Sequence, residues 1–202
     1  MLNTIYKINR YILNEIVKYY SQFIGSFLFK INNISYQKGV SFNGLPTIYI
    51  QGTVQIGKNF KINNRINANP IGRNHKCLFV VRQNAKLLIG NNVGMSGTTI
   101  VCQKKITIKD NVKFGGNVCI YDTDFHSLNS LFRSDSKKDQ ENTVKKEVTI
   151  SDNVFIGAHS TILKGVTVGE NAIIGACSVV AKDIPSNEIW AGNPAKFIRK
   201  IN

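Results

Sequence analysis

Acidic residues, cysteine, proline and histidine are all scarce in this chain. Its 202 residues hold 12 Asp and Glu, four Cys, four Pro and three His. Cys77, Cys102, Cys119 and Cys177 form no CxxC pair, which leaves neither a zinc-type ligand spacing nor a disulfide framework. The expectation is a reduced, cytoplasmic protein. No window reaches the roughly 18 uninterrupted apolar residues of a membrane span. The N-terminus has no compact apolar stretch followed by a small-residue cleavage site, so no secretory signal is expected. Against 12 acidic residues stand 26 Lys and Arg, a formal charge of +14. That balance favours an anionic partner such as a membrane surface or a phosphate-bearing ligand, or else a merely solvated lysine-rich surface. No nucleic-acid motif accompanies the charge, and no nucleic-acid partner is expected.

What the chain has in abundance is period. Ile150, Ile156, Ile162, Val168, Ile174 and Val180 stand six apart. Four behind each comes a mostly small series: Val154, Ser160, Val166, Ala172, Ser178 and Ile184. Helices repeat near 3.6 and half-buried strands at 2; a period of six fits a short strand plus a corner. Repetition of this kind marks a solenoid whose turns bury their apolar faces on each other. Earlier hexads are imperfect, with Ile50, Ile56 and Ile62 as inward candidates and Val54, Phe60 and Ile66 behind them. Residues 67–77, with Asn69-Pro70 and Gly72, break the phase as a bulged corner or loop. The phase resumes at Ile89, Met95 and Val101 and shifts by one residue near Thr107 to Ile108, Phe114 and Ile120.

Three segments lie outside the repeat. Residues 2–30 carry Ile5, Ile8, Ile12, Ile16, Tyr20, Phe23 and Phe27 at helical spacing, with Lys7, Arg10 and Lys18 mostly on the other side. Such a helix can cap the open end of a solenoid or meet another subunit. It can also lie on an anionic membrane as a peripheral contact. The wide aromatic stripe favours the cap or subunit contact. Residues 31–47 read as a connector rich in turn residues, and 121–149 as a long charged loop of the kind that carries function. The expected divisions are 1–47 for helix and connector, 48–190 for the coil with its loop at 121–149, and 191–202 for a closing segment.

Chemistry points to that loop. In Tyr121-Asp122-Thr123-Asp124-Phe125-His126-Ser127 the histidine lies beyond the last inward position, where packing does not require it. Asp122 and Asp124 could orient its imidazole through one nitrogen and leave the other as a base. His75 and His159 read as polar surface residues, and Trp190 as packing for the C-terminal segment.

The repeat resembles that of the left-handed parallel β-helix acyltransferases, an exception to the right-handed crossover preference. Asp-Thr-Asp-Phe-His-Ser resembles the catalytic segment of sugar O-acetyltransferases related to galactoside and maltose acetyltransferases. Phe155-Ile156-Gly157-Ala158, Ile174–Pro185 and Gly192–Arg199 resemble that family's coenzyme-binding and closing segments. The resemblance implies an all-β solenoid with an N-terminal helical appendage, assembled as a homotrimer. It implies acetyl-CoA as co-substrate, no metal, and His126 as general base in a direct transfer. Asp122 and Asp124 are its expected supports. Phe155, Gly157, Ala158, Ala176, Ala181, Lys182, Lys196 and Arg199 would hold the coenzyme, the last three through phosphates. Ser96, Asn117 and Tyr121 are acceptor-site candidates. Phe155 stands where the family commonly has tryptophan, and Ala181 where threonine is common. The expected acceptor is a sugar or lipid-linked saccharide of a surface polysaccharide, such as capsule or O-antigen. The alternatives are N-acetylation of an amino sugar nucleotide and a non-catalytic scaffold. A three-histidine zinc site of the carbonic anhydrase kind lacks its motif around His75, His126 and His159.

Overall fold

The computed structural model describes residues 2–66, 69–71 and 75–201. Leu2–Ile31 form one α-helix, α1. From Ser35 on, the chain winds through three sheets, each taking every third strand, with parallel pairing throughout the coil. Sheet A is built from 35–36, 53–56, 86–89, 105–108, 148–150 and 167–168. Sheet B takes 41–43, 61–63, 94–96, 113–116, 155–156 and 173–174, and sheet C takes 47–50, 78–81, 99–102, 119–121, 161–162 and 179–180. The coil thus begins inside the segment expected to be a connector. Its short strands, Ser35–Tyr36 and Ser41–Asn43, escape a pattern search because their turn residues dominate so brief a stretch.

Register stacks like residues into columns. Ile56, Ile89, Ile108, Ile150 and Val168 lie over one another in sheet A. Phe79, Ile100, Ile120, Ile162 and Val180 do so in sheet C. Nearly all are buried, and burial of such a side chain contributes about 1.5–3 kcal/mol. The small series behind them, Val154 through Ile184, is buried throughout. Ser160 and Ser178 satisfy their hydroxyls there by donating to the Gly175 carbonyl at 2.9 and 2.6 Å.

Ile100 and Cys102 point inward and Val101 does not. The phase slip is spread over two faces: Ile108 follows Ile100 by eight residues, and Ile100, which lies over Ile120, follows Met95 across a corner of five residues where Ile120 follows Phe114 by six. The shorter corner holds Gly97 at φ +58°, and the neighbouring strand shifts register between Lys113 and Gly116. Ile66, expected in the series four behind the inward residues, is 54% exposed because the chain leaves the coil there. Asn69 and Pro70 are described outside any strand; Gly72 lies outside the described residues.

Corners explain a residue type that the pattern of six does not. Asn59, Asn92, Asn111 and Asn153, each three past an inward aliphatic, adopt φ between 57° and 61°, a region asparagine tolerates. Their amides form a ladder, each Nδ2 donating to the next Oδ1 at 2.9–3.1 Å.

Gly157 is required by close approach of the next coil and not by its φ. A Cβ at this position would lie 2.4 Å from the Ala176 backbone nitrogen, and one at Gly115 equally close to Ala158. These glycines let successive coils stack at the B–C corner. Gly157→Ala is therefore expected to destabilise by about 1–3 kcal/mol, as overpacking does. Thermal unfolding checks this, and an unchanged melting temperature would mean the coils part freely.

Helix α1 packs on the first coil through its C-terminal half, and Arg65 of the next coil donates to Asn14 nearer its start. Phe29 is fully buried and stacks edge-on against Phe42 and Tyr36 at 4.7 and 5.7 Å. Gln22 donates to the Val40 carbonyl and accepts from the Phe42 N–H, and Gly25 leaves room for the Phe42 ring. The stripe expected to cap the coil points the other way: Ile12, Ile16, Tyr20, Phe23 and Phe27 are exposed. The Ile5 side chain lies outside the described residues. Packing chose the face with small and polar residues because only there can the helix approach the coil edge closely.

At the far end, Glu188–Ala191 joins sheet B in parallel and Lys196–Lys200 then pairs with it antiparallel. Trp190 packs partly against the core, as the sequence suggests, stacks edge-on with Phe197 and donates from Nε1 to Glu188 at 2.8 Å.

Candidate active site

Tyr121 ends a strand at the corner between sheets C and A, and the next strand begins at Val148. The intervening loop closes at its base by an antiparallel bridge between Thr123 and Lys145, with Lys146 N–H on the Asp122 carbonyl and Asp124 N–H on the Val144 carbonyl. Its tip holds two short helices, α2 (Ser130–Arg133) and α3 (Ser136–Glu141). Asn129 and Asp135 cap them by accepting from backbone N–H groups of their first turns, the standard N-cap arrangement.

His126 projects from the start of this loop with its side chain 71% exposed. Phe125 before it sits at φ +66°, a sparsely populated conformation for a bulky residue, and stacks edge-on against Tyr121 at 5.1 Å. Nδ1 of His126 lies 2.7 Å from Oδ2 of Asp139 on α3. The other oxygen of Asp139 accepts the Ser127 N–H at 2.6 Å. The His126 hydrogen bond, with the Ser127 N–H second, holds the Asp139 carboxyl below its ordinary value of 3.8. An ionised carboxylate can only accept, so Nδ1 carries the proton in this pair. In the neutral ring Nε2 then has the free lone pair.

The carboxylate on the histidine is thus Asp139, and the two aspartates expected there do other things. Asp122 is fully buried and accepts the Gln103 and Lys104 N–H groups at 2.7 Å each, tying down the corner of the coil before it. Asp124 pairs with Lys164 at 2.8 Å and fastens the loop base to the following coil. Asp139 lies thirteen residues past His126, among charged residues of low apolar content. No spacing rule distinguishes it there from Asp135.

The other expected site residues fall on different edges. Gly157, Ala158 and Ala176 line the B–C corner, with Phe155 46% exposed on sheet B beside them. Ala181 and Lys182 are exposed past the last strand of sheet C, and Lys182 Nζ stands 5.3 Å from the Trp190 ring centroid. Lys196 and Arg199 are exposed on the reversed terminal strand. Ser96 and Asn117 lie at the B–C corner, whereas Tyr121 is at the loop. Asn117 lines a cleft of about 340 Å³ with His75, Thr99, Cys119, His159 and Thr161, and its Nδ2 is buried without a partner. His159 occupies a coil corner at φ +62°. The cleft holds His75 and His159 without His126, so the three histidines do not converge. One chain therefore carries His126 on one edge of the coil and the small-residue column on another.

Comparison with known proteins fits this architecture. Residues 147–182 match the family model for the bacterial transferase hexapeptide (six repeats). No curated protein matches the chain in sequence. Among solved structures, it is similar to a mutant N-acyltransferase from Bacillus cereus crystallised with dTDP and coenzyme A. That pair shares 21% identity over 88% of this chain and 89% of that one, with a TM-score of 0.68. A hexapeptide-repeat acetyltransferase from Vibrio cholerae is 30% identical over 57% of this chain and 63% of its own, with a TM-score of 0.52. A structure of a hexapeptide-repeat acetyltransferase from Vibrio cholerae O1 biovar eltor, complexed with acetyl-CoA, is 21% identical, covers 87% and 76%, and has a TM-score of 0.55.

Proposed function

We propose that this chain is an acetyl-CoA-dependent O-acetyltransferase that acylates a sugar hydroxyl, with His126 as general base. The observation carrying the reading is the His126–Asp139 pair on a loop inserted at a coil corner. A hydroxyl is too weak an acid to ionise near neutrality, so its attack needs a positioned base. Nε2 of His126 takes the hydroxyl proton while the oxygen forms its bond to the acyl carbon. The carbon–sulfur bond breaks, and the proton passes to the departing thiol. Asp139 keeps the proton on Nδ1 and stabilises the imidazolium while it lasts.

The coil is left-handed and the assembly a trimer in this reading. Two observations support a shared site: the base and the small-residue column lie on separate edges of one chain, and exposed Phe155 flanks that column. A neighbouring copy would bring Phe155, Gly157, Ala158 and Ala176 to His126, with Lys182, Lys196 and Arg199 toward the coenzyme phosphates. The small side chains of Ala158 and Ala176 leave a shallow edge at that corner, which suits a thin pantetheine arm. The acetyl-CoA complex of the Vibrio cholerae structure supports the co-substrate. The acceptor class, a saccharide of a surface polysaccharide, rests on sequence resemblance. Light scattering should return three times 22.5 kDa; a monomer that binds acetyl-CoA tightly would dismiss the shared site.

N-acylation of an amino sugar nucleotide is the second reading, favoured by the dTDP complex of the Bacillus cereus relative. An acetyl-transfer screen over matched hydroxyl and amino sugars, free and nucleotide-linked, separates the two. Transfer only to amines would replace the first reading with the second, and no transfer to any acceptor would favour the scaffold.

A further inference from the structure

We infer that α1 is a docking helix for an anionic lipid surface. This stands apart from the reading of the active site. The argument begins with charge. Residues 1–100 hold twelve Lys and Arg and a single acid, Glu15, whereas residues 101–202 hold fourteen against eleven. Of the total +14, the first half therefore carries +11. In a coil each turn sits beside its sequence neighbours, so an imbalance along the sequence becomes one along the molecule. The strongly basic end is the one that bears α1.

The helix supplies the second half. Its coil-facing side is fixed by Gln22, Gly25 and Phe29, and Arg65 of the coil donates to Asn14 at 2.8 Å. The opposite side presents Ile8, Ile12, Ile16, Tyr20, Phe23 and Phe27, all exposed, Phe23 by 75%. Lys7, Arg10 and Lys18 fall on the polar side of the same helix. Apolar and aromatic residues on one side with lysine and arginine on the other describe a helix that lies in a bilayer interface. Tyrosines, with apolar bodies and polar tips, favour that level. No helix among the described residues is long and apolar enough to cross a membrane, which fits lying on the surface.

A second copy of the chain suits the stripe less well. Seven-residue spacings (Ile16 to Phe23, Tyr20 to Phe27) and an eleven-residue one (Ile5, Ile16, Phe27) both occur along it, so spacing selects no helical partner; charge does. Pairing two such ends would bring like charge together, whereas an anionic leaflet attracts each lysine or arginine near it.

Flotation of the full chain with phosphatidylcholine vesicles, with and without phosphatidylglycerol, tests the inference. Binding is expected only with phosphatidylglycerol, weakening roughly tenfold or more as salt is raised. Phe23→Asp with Phe27→Asp should abolish flotation while leaving the light-scattering mass and the circular dichroism unchanged. Lys7→Gln, Arg10→Gln and Lys18→Gln together should weaken it by roughly a hundredfold. Absence of flotation, or equal flotation on neutral vesicles, overturns the inference. So does a drop in assembly mass in the paired aspartate variant, which would make the stripe a subunit contact.

Discussion

Replacing His126 with alanine is expected to lower turnover by about 10²–10⁴-fold, the usual worth of a positioned general base. The side chain is mostly exposed and packs nothing, so the melting temperature should hold. Affinity for acetyl-CoA should hold as well, because the expected coenzyme contacts lie on other edges of the coil. His75→Ala and His159→Ala serve as controls from the neighbouring cleft and should keep most of the activity. Near-normal turnover of His126→Ala on a verified acceptor would falsify the catalytic assignment.

Asp139→Ala and Asp122→Ala should fail in opposite ways, which separates positioning from architecture. Without Asp139 the imidazole loses the acceptor that fixes its proton on Nδ1. Turnover should then fall by up to roughly 10²-fold, bounded above by what the base supplies. Melting should change little, since α3 has no buried residue. Without Asp122, the N–H groups of Gln103 and Lys104 lose their acceptors, a cost of about 1–3 kcal/mol. Melting should then fall while turnover per folded molecule stays near normal. The carboxyl of Asp139 is held below its ordinary value in the folded chain. Its contribution is thus complete above that ordinary value and is lost as pH falls through the lowered one. The loop should accordingly loosen in acid before the coil does, and limited proteolysis within 121–149 across a pH series would show it. Cleavage unchanged down to the pH at which the coil itself melts would refute this order.

The coil was legible because it repeats. Ile150 through Val180 state the inward column with no slip, and the small residues behind them state the corners. What periodicity could not supply was the meaning of a single extra residue. The sequence reads as one insertion near Thr107 because Val101 and Ile100 are equally aliphatic and either could face inward; the register instead shortens the corner before Ile100 and lengthens the turn after it. The glycines were similarly ambiguous: sequence cannot tell a glycine needed for φ from Gly157, needed for the approach of the next coil. His126 stood out because the repeat left it unexplained. Its partner Asp139 did not, since only the two short helices and their caps fold that carboxylate back onto the ring. For α1 the amphipathic pattern was plain, but which side would pack was not. Gly25 and Gln22, read alone, gave no sign of outcompeting the aromatic stripe for the coil edge.

The reversal of the final strand bears on how this molecule stays a particle of finite size. A stack of parallel strands has no intrinsic stopping point, and an open last rung is a template for the first rung of another molecule. Lys196–Lys200 runs antiparallel to the strand it covers, so a newcomer in the parallel sense meets a mismatched hydrogen-bond ladder. All five of its residues are exposed and three are basic, which adds repulsion to the mismatch. Any lengthening of the protein by duplicated hexads must therefore occur ahead of this strand, and a chain truncated before Lys196 would present an edge open to end-to-end fibre growth.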